Sequence, residues 1–546
     1  MAVRLPRPVV PGDAPPPTGR VVGHWVPTGR PAAFDAAGIT ELARCARDAL
    51  FVLDGGAARG RGLGVDGRWA EPGEGGVPVL GVLPPLDPEG LGDRDFNAAH
   101  GTRLAYVAGE MANGIATTDL VVAMARADML GVFGAAGLPT SVVAAAVDEL
   151  AARLPDRRNW AVNLIHSPAE PRAEEDTARL LVERGVPCVS ASAYLSLTPA
   201  VVRCAVAGLR RDRTGRVVRA RRVVVKLSRP EVAARFLAPA PPEVLRELVE
   251  RGQVTAAEAE LAARVPLVDD VTAEADSGGH TDNRPLAVLL PAIAAVRDRM
   301  AREHGYPTAV RVGAAGGLGT PIAVAAAFAA GAAYVVTGSV NQCAVEAGLS
   351  AAAKEMLAQA DIADVAMAPA ADMFELGVTV QVLRRGTLFA ARATRLHQVY
   401  RDHASLEALP EEVRTKLERD VFRAPVAEVW ASTREFWRDR DPAELERADR
   451  EPRHRMALVF RWYLGQASRW AITGDPLRRV DYQIWCGPAM GAFNRWVGGS
   501  RLADPAHRSA PLIAQALMDG AAACTRAHQL RAHGVPVPPD VAAPSA

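Results

Sequence analysis

Val312-Gly313-Ala314-Ala315-Gly316-Gly317-Leu318-Gly319-Thr320-Pro321 reads as a short apolar strand that runs into a glycine-rich loop and then into a helix. Proline suits the first helical turn, where its missing N–H has no intrahelical partner to lose. A loop of this kind lets backbone N–H groups close on an anion at a helix N-terminus, where the dipole favours negative charge. The next apolar run, Tyr334 to Thr337, leads into Thr337-Gly338-Ser339-Val340-Asn341, again a glycine followed by hydroxyl and amide side chains at a helix start. A β/α barrel holds phosphate with the loops after its seventh and eighth strands. The pair therefore points to a barrel with a phosphorylated ligand, and plain tight turns are the bland competitor.

Working back from this pair, short apolar runs alternate with helical patterns, the signature of βα units. Strands one to eight are expected at Leu104 to Ala108, Met129 to Ala135, Trp160 to Ile165, Pro187 to Ser190, Arg222 to Leu227, Leu267 to Ala273, Ala309 to Gly313 and Tyr334 to Thr337. The run Val223-Val224-Val225 suits a parallel strand buried on both faces. Helices are expected in between, among them Thr118 to Ala127 behind a Thr cap, and the last from about Gln342. Eight strands, each followed by a helix, is the count of a closed α/β TIM (β/α)8 barrel, here assigned to residues 96–395. A doubly wound open sheet is the competing fold. Between strands five and six lies an oversized, largely helical connection, assigned to 228–265. It follows a strand's C-terminal end and is expected to cap the substrate pocket.

Outside the barrel the pattern changes. Residues 1–95 are punctuated by Pro and Gly and form an N-terminal appendage with a small sheet, including Ala49 to Leu53 and Val77 to Leu83. Residues 396–546 form a helical C-terminal region, with helices expected at Leu406 to Trp437, Asp441 to Leu464 and Pro511 to Arg531. A Pro/Ala tail from Val535 is expected to be disordered.

Bulk composition excludes several classes. The chain has 546 residues, 49% of them hydrophobic, which is enough for a large core. Its net charge of +1 points to neither nucleic acid nor a membrane surface. The basic run Arg210 to Arg222 surrounds Gly215 and reads as a solvated turn. Six cysteines lie far apart, with no CxxC or Cys/His cluster at metal spacing, so no metal site is expected. Met1 to Arg20 lacks the apolar core of a signal peptide, and a reduced, cytoplasmic protein is expected. The helical C-terminal region is large enough to support a homodimer.

The second chemical signal is Glu274-Ala275-Asp276-Ser277-Gly278-Gly279-His280-Thr281-Asp282-Asn283, at the catalytic end of strand six. Gly278 and Gly279 allow a flat ligand to approach the backbone. His280 titrates near neutral pH and is the candidate proton donor. His166, past strand three, lacks the glycine pair and reads as structural. Lys226 ends strand five, where it can neutralise a phosphate or a reduced ring. Asn163, near the end of strand three, can bond a polar ring edge. Met111-Ala112-Asn113-Gly114 follows strand one and offers small residues and an amide, with Glu110 beside them. Gly62-Leu63-Gly64-Val65-Asp66-Gly67 has the letters of a dinucleotide fingerprint, but it follows no strand and opens no helix.

These stretches also resemble a known family. GEMANGIATTDLV (109–121), GVFGAAGL (131–138), NLIHSP (163–168), SASAYLSLTPAVV (190–202), VVVKLSRPEVAARF (223–236), ADSGGHTDNRPL (275–286), AAGGLGTP (314–321), TGSVNQC (337–343) and QIWCGPAMGAFNRW (483–496) resemble PfaD-type trans-acting enoyl reductases of polyunsaturated fatty acid and polyketide synthases. The barrel motifs are also similar to the nitronate monooxygenase and FMN-dependent enoyl reductase group. The resemblance implies FMN across the strand ends. Met111, Ala112 and Asn113 would lie against the ring, Asn163 and Lys226 on its polar edge, and Gly316, Gly317, Gly338 and Ser339 on the phosphate. His280 would be the catalytic histidine, with Lys226 the second catalytic residue. It further implies NADPH as a transient hydride donor and an enoyl thioester on an acyl carrier protein as substrate. No G-x-S-x-G elbow of an acyltransferase is present, so a stand-alone reductase is expected. Competing readings are a nitronate monooxygenase-like flavin oxidase, an inert barrel scaffold in a synthase complex, and a non-flavin barrel for a sugar phosphate or nucleotide.

Overall fold

The computed structural model describes residues 20–168, 170–279 and 282–543. They divide into two compact units, one holding the described residues up to Pro88 with Asp519–Ala543, the other running from Glu89 to Met518.

The larger unit is built on the expected TIM barrel. Its strands, one to eight, are Tyr106–Ala108, Leu130–Phe133, Trp160–Ile165, Cys188–Ser192, Arg222–Leu227, Asp270–Glu274, Arg311–Ala315 and Val335–Thr337. All pair in parallel, and the ring closes where Val335, Val336 and Thr337 of strand eight pair with Tyr106, Val107 and Ala108 of strand one. Side chains on a strand alternate between faces. Val107, Leu130, Val132, Ala161, Cys188, Val224 and Val336 share one buried cluster in the barrel. Two residues beyond Ala161, Cys188 and Val224, the same parity carries Asn163, Ser190 and Lys226 toward the C-terminal end.

Strand six shows both ends of the barrel. Its first residue, Asp270, is fully buried. The Asp270 carboxylate accepts from Arg311 Nε at 2.6 Å and Nη2 at 2.9 Å, and His100 Nε2 lies 2.9 Å away. Burial works to raise the Asp270 pKa, but His100 and Arg311 outweigh it and hold it below the usual aspartate value. Its last residue, Glu274, reaches the opposite end, where the connecting loops lie.

The insertion after strand five does not cap the pocket. It forms helices Pro230–Leu237, Pro242–Glu250 and Ala256–Ala262. The first packs on helix Leu286–His304 and the other two on helix Pro199–Val206, so all three thicken the outer ring. The reason is visible in the first helix, whose Val232, Ala233, Phe236 and Leu237 are buried. That apolar face leaves it no freedom to stand over the barrel mouth. After strand eight, the expected helix from Gln342 is a 3-10 turn, Ser339–Cys343, followed by helix Ala351–Ala358.

The chain then makes an antiparallel hairpin that the sequence reading did not contain, Val365–Pro369 with Thr379–Leu383. Its Ala-Met-Ala-Pro-Ala sequence carries little strand preference, and Val382, paired with Ala366, is also bridged to Trp485. Helices Phe389–Asp402, Glu411–Lys416, Val426–Arg440, Pro442–Arg450 and Pro452–Thr473 follow. Prolines 410, 425, 442 and 452 stand at their starts, which divides the longer helices expected here. Phe374, Val382, Phe389, Leu396, Phe422, Phe460 and Tyr463 are buried in one core that joins the hairpin to these helices. Among the described residues no helix is long and apolar enough to cross a membrane.

The smaller unit is a five-stranded antiparallel sheet in the order Arg61–Gly64, Leu50–Asp54, Val77–Leu83, Gly23–Pro27, Gly67–Trp69. The tail expected to be disordered from Val535 is ordered through Ala543. Val535, Val537 and Val541 are buried with Ile39, Leu50, Val52 and Leu530. Alternating valines supply the apolar anchors that a Pro/Ala composition conceals.

Candidate active site

A cavity of about 370 Å³ lies at the C-terminal ends of the barrel strands. The loop after strand one contributes Met111, Ala112 and Asn113, and strands three and five contribute Asn163 and Lys226. Gly278 and Gly279 come from the loop after strand six, Gly316 and Gly317 from the loop after strand seven, and Gly338 and Ser339 from the loop after strand eight. His280 lies outside the described residues. The far side of the cavity is made by Ala371, Val380, Arg440, Gly465, Trp485, Gly487 and Ala489, all downstream of the barrel. These residues take the place of the cap expected from 228–265, which contributes no lining residue among those described.

The polar floor is an ion-pair network. Lys226 Nζ lies 3.0 Å from Oε1 of Glu110 and 3.0 Å from Oε1 of Glu274. All three side chains are largely buried, and all line the cavity. Burial works against the ammonium, but the two carboxylates outweigh it and raise the lysine pKa well above its ordinary value. Ser190 donates to Glu110 Oε2 at 3.1 Å. Asn163 Nδ2 donates to Ser192 Oγ at 2.9 Å and to the Ser190 carbonyl at 3.0 Å, with a longer contact to Glu110. The amide nitrogen of Asn163 is thus committed to the protein, and its carbonyl oxygen is the part left for a ligand. Asn113 is similarly engaged, with Nδ2 donating to Ser468 Oγ at 3.0 Å. Asn113 also sits at a φ of 57°, in the left-handed region that Asn tolerates better than most residues.

The glycines divide into two kinds. Gly316 has a φ of 88°, and a Cβ there would lie 2.7 Å from the Ala275 carbonyl carbon. It is required by the approach of two loops. Gly278 is pressed against the Cys486 backbone, where a Cβ would meet its nitrogen at 3.0 Å. At Gly317 and Gly338, by contrast, a Cβ would meet nothing within 4 Å, and both line the cavity. Beside them, Ser339 Oγ accepts from the Gly487 N–H at 3.1 Å and keeps its own hydrogen to donate. This is an open cradle between the start of helix Pro321–Ala329 and the 3-10 turn Ser339–Cys343, a shape and polarity that suit a phosphate. The Oε1 of Gln342 borders the same cavity, buried and without a hydrogen-bond partner among the described residues. An FMN-sized phosphate ligand fits these groups.

His166 stands apart. Its Nδ1 lies 3.1 Å from Glu174 Oε2, its ring stacks on Tyr194, and Tyr194 donates to Glu174 Oε1 at 3.0 Å. It belongs to a packed cluster beside the cavity rather than to its lining. The sequence reading passed over Glu274, Ser190 and Ser192 and left the direction of Glu110 open. Strand parity was the available signal for three of them. Lys226 pairs in register with Thr272, two positions before Glu274, and Asn163 pairs with Ser190, two positions before Ser192.

Comparison with known proteins adds a family. The enoyl reductase domain of MlnA, from the macrolactin biosynthesis cluster of Bacillus amyloliquefaciens, is 36% identical, and its crystal structure matches 81% of this chain and 98% of its own with a TM-score of 0.76. A polyunsaturated fatty acid synthase protein of Thraustochytrium sp. is 45% identical over 82% of this chain. The polyketide biosynthesis protein PksE of Bacillus subtilis is 42% identical over 79% of this chain. The chain belongs to the PfaD-type enoyl reductase family. It spans 30% of the length of the Thraustochytrium synthase protein and 56% of PksE, so those relatives carry further regions. Residues 403–482 also match the inserted helical domain of [acyl-carrier-protein] S-malonyltransferase. Within the PfaD-type fold, that stretch supplies Arg440 and Gly465 to the cavity.

Proposed function

We propose that this chain is an FMN-dependent enoyl reductase. It saturates the α,β-double bond of enoyl thioesters held on an acyl carrier protein, with NADPH as the electron source, in polyketide or polyunsaturated fatty acid biosynthesis. The observation that carries the reading is the open cradle at Gly317, Gly338 and Ser339, set at the strand ends of the same cavity whose floor is Lys226, Glu110 and Glu274. Family membership supports the reaction class. The cysteines, all free thiols, support a reducing, cytoplasmic setting.

In this reading Gly316, Gly317, Gly338 and Ser339 hold the FMN phosphate, and Met111, Ala112 and Asn113 lie along the ring. Bound FMN supplies the hydride that reaches the substrate β-carbon. Lys226 stays protonated at neutral pH and compensates the carboxylates of Glu110 and Glu274, so the floor carries one net negative charge rather than two. Asn163 keeps Glu110 in place and turns its carbonyl oxygen to the ligand. His280 protonates the α-carbon or orients the group that does. Trp485 and the backbone at Gly487 and Ala489 shield the reacting atoms from water, which strengthens every polar interaction inside.

The test is an anaerobic absorbance spectrum of the purified protein before and after NADPH, followed by assays on enoyl thioesters of a carrier protein. Flavin absorbance that bleaches with NADPH and returns with the enoyl thioester is the expected result. Absorbance that NADPH leaves unchanged would favour the oxidase reading. A protein that binds no flavin after reconstitution would overturn the proposal.

A further inference from the structure

The charges around the cavity are unequal. Its described lining holds the acids Glu110, Glu170, Glu274, Asp276 and Asp372 and only the cations Lys226 and Arg440. Lys226 is fixed between Glu110 and Glu274. Arg440 is different. It is the last residue of helix Val426–Arg440, its side chain is 24% exposed, and it belongs to the cover of the cavity rather than to the barrel floor. Its Nε donates to Oε2 of Glu170 at 2.6 Å, and its guanidinium lies 5.5 Å from the centre of the Phe436 ring. Its two Nη atoms have no hydrogen-bond acceptor among the described residues.

We propose that Arg440 is a phosphate receptor at the mouth of this cavity, with Glu170 holding its Nε and leaving the Nη pair to a phosphate-bearing ligand. The inference rests on the reductase reading, because both reactants of that reaction carry phosphate: the pantetheine arm of a carrier protein, and the nicotinamide dinucleotide. An anion approaching a lining this acidic is repelled unless a cation meets it. Arginine presents a planar fork suited to two parallel hydrogen bonds with phosphate, and the Nη pair provides it. Glu170 stays on Nε when a phosphate takes the Nη pair, and its charge opposes the incoming anion.

The experiment compares the holoenzyme with Arg440→Ala, Arg440→Lys and Glu170→Gln. The KM is measured for one enoyl group on a carrier protein and on N-acetylcysteamine, which lacks phosphate, and for NADPH and NADH. Arg440→Ala should raise the KM for a phosphate-bearing ligand about tenfold or more relative to its change for the N-acetylcysteamine thioester, the size of one lost charge-assisted hydrogen bond. Arg440→Lys should recover part of that loss. Glu170→Gln should move the same KM downward, because it removes an opposing charge beside the phosphate. An effect confined to the carrier thioester identifies the pantetheine phosphate, and one confined to the nucleotides identifies theirs. A pair that merely braces the fold would make Arg440→Ala and Glu170→Gln act in the same direction and equally on the N-acetylcysteamine thioester. That result would overturn the inference. Calorimetric titration with 4′-phosphopantetheine, pantetheine and NADPH separates it from the reductase reading. A protein that reduces no enoyl thioester but loses phosphate-dependent binding in Arg440→Ala keeps the receptor and loses the reaction.

Discussion

Lys226 Nζ lies 3.0 Å from Oε1 of Glu274, across the boundary between strands five and six, and the same nitrogen is shared with Glu110. One buried cation therefore serves two buried carboxylates. Lys226→Met should leave both acids uncompensated and cost about 3–5 kcal/mol of stability, the usual penalty for breaking a buried pair from one side. Thermal denaturation measures this. The double variant Lys226→Met with Glu274→Gln should recover part of the loss.

The two kinds of glycine should separate folding from ligand binding. Gly316→Ala places a side chain at a φ of 88° and against Ala275, and should cost about 1–3 kcal/mol of stability. Gly338→Val has open space and a φ of −122°, so its melting temperature should match that of the parent while its affinity for FMN falls at least about tenfold. Flavin fluorescence on titration reads the second effect. Unchanged FMN affinity in Gly338→Val would place the phosphate elsewhere.

The histidines should behave in opposite ways. His280→Ala should lower turnover by about 10²-fold or more with FMN still bound, as expected for loss of a proton donor. His166→Ala should instead lower the melting temperature, because it removes one of the hydrogen-bond partners of the buried Glu174 carboxylate and leaves the others, Tyr194 and the Ser167 N–H among them, to hold it. Flavin content measured alongside turnover distinguishes these outcomes. Loss of flavin from His280→Ala would make its role structural.

At the other end of the barrel, Asp270 should confer an acid-side pH dependence. Its pKa in the folded chain lies below the ordinary aspartate value of about 3.9, so its contribution to stability is complete above that value and is lost as pH falls through the folded one. Asp270→Asn should be destabilised by about 3–5 kcal/mol near neutrality and should show a shallower fall between about pH 4 and pH 2 than the parent. Denaturant midpoints across that range measure the difference.

The barrel was legible because each strand is a short apolar run and each phosphate loop is local in sequence. Gly316–Gly317 and Gly338–Ser339 declare themselves within a few residues. The floor was only half legible. Lys226 stands out as a cation after three valines, whereas Glu274 follows an ordinary polar alternation and acquires meaning only through the register of strands five and six. The cover was hidden for a different reason. The tertiary contacts that bring Trp485 to the cavity are made across long sequence separations, and neither periodicity nor motif spacing reports them. The helical connection 228–265 sat at the topologically suitable end of a strand, but the burial of Phe236 and Leu237 tied it to the outer ring.

Synthesis of the chain separates construction of the two sides of the cavity in time. All eight barrel strands have left the ribosome once Thr337 has emerged, whereas Trp485, Gly487 and Ala489 are translated well afterwards. The glycine-rich loops of the floor are therefore synthesised well before the residues that cover the cavity. A chain interrupted between the two would carry the barrel strands and their glycine-rich loops but not the residues that complete the cavity wall.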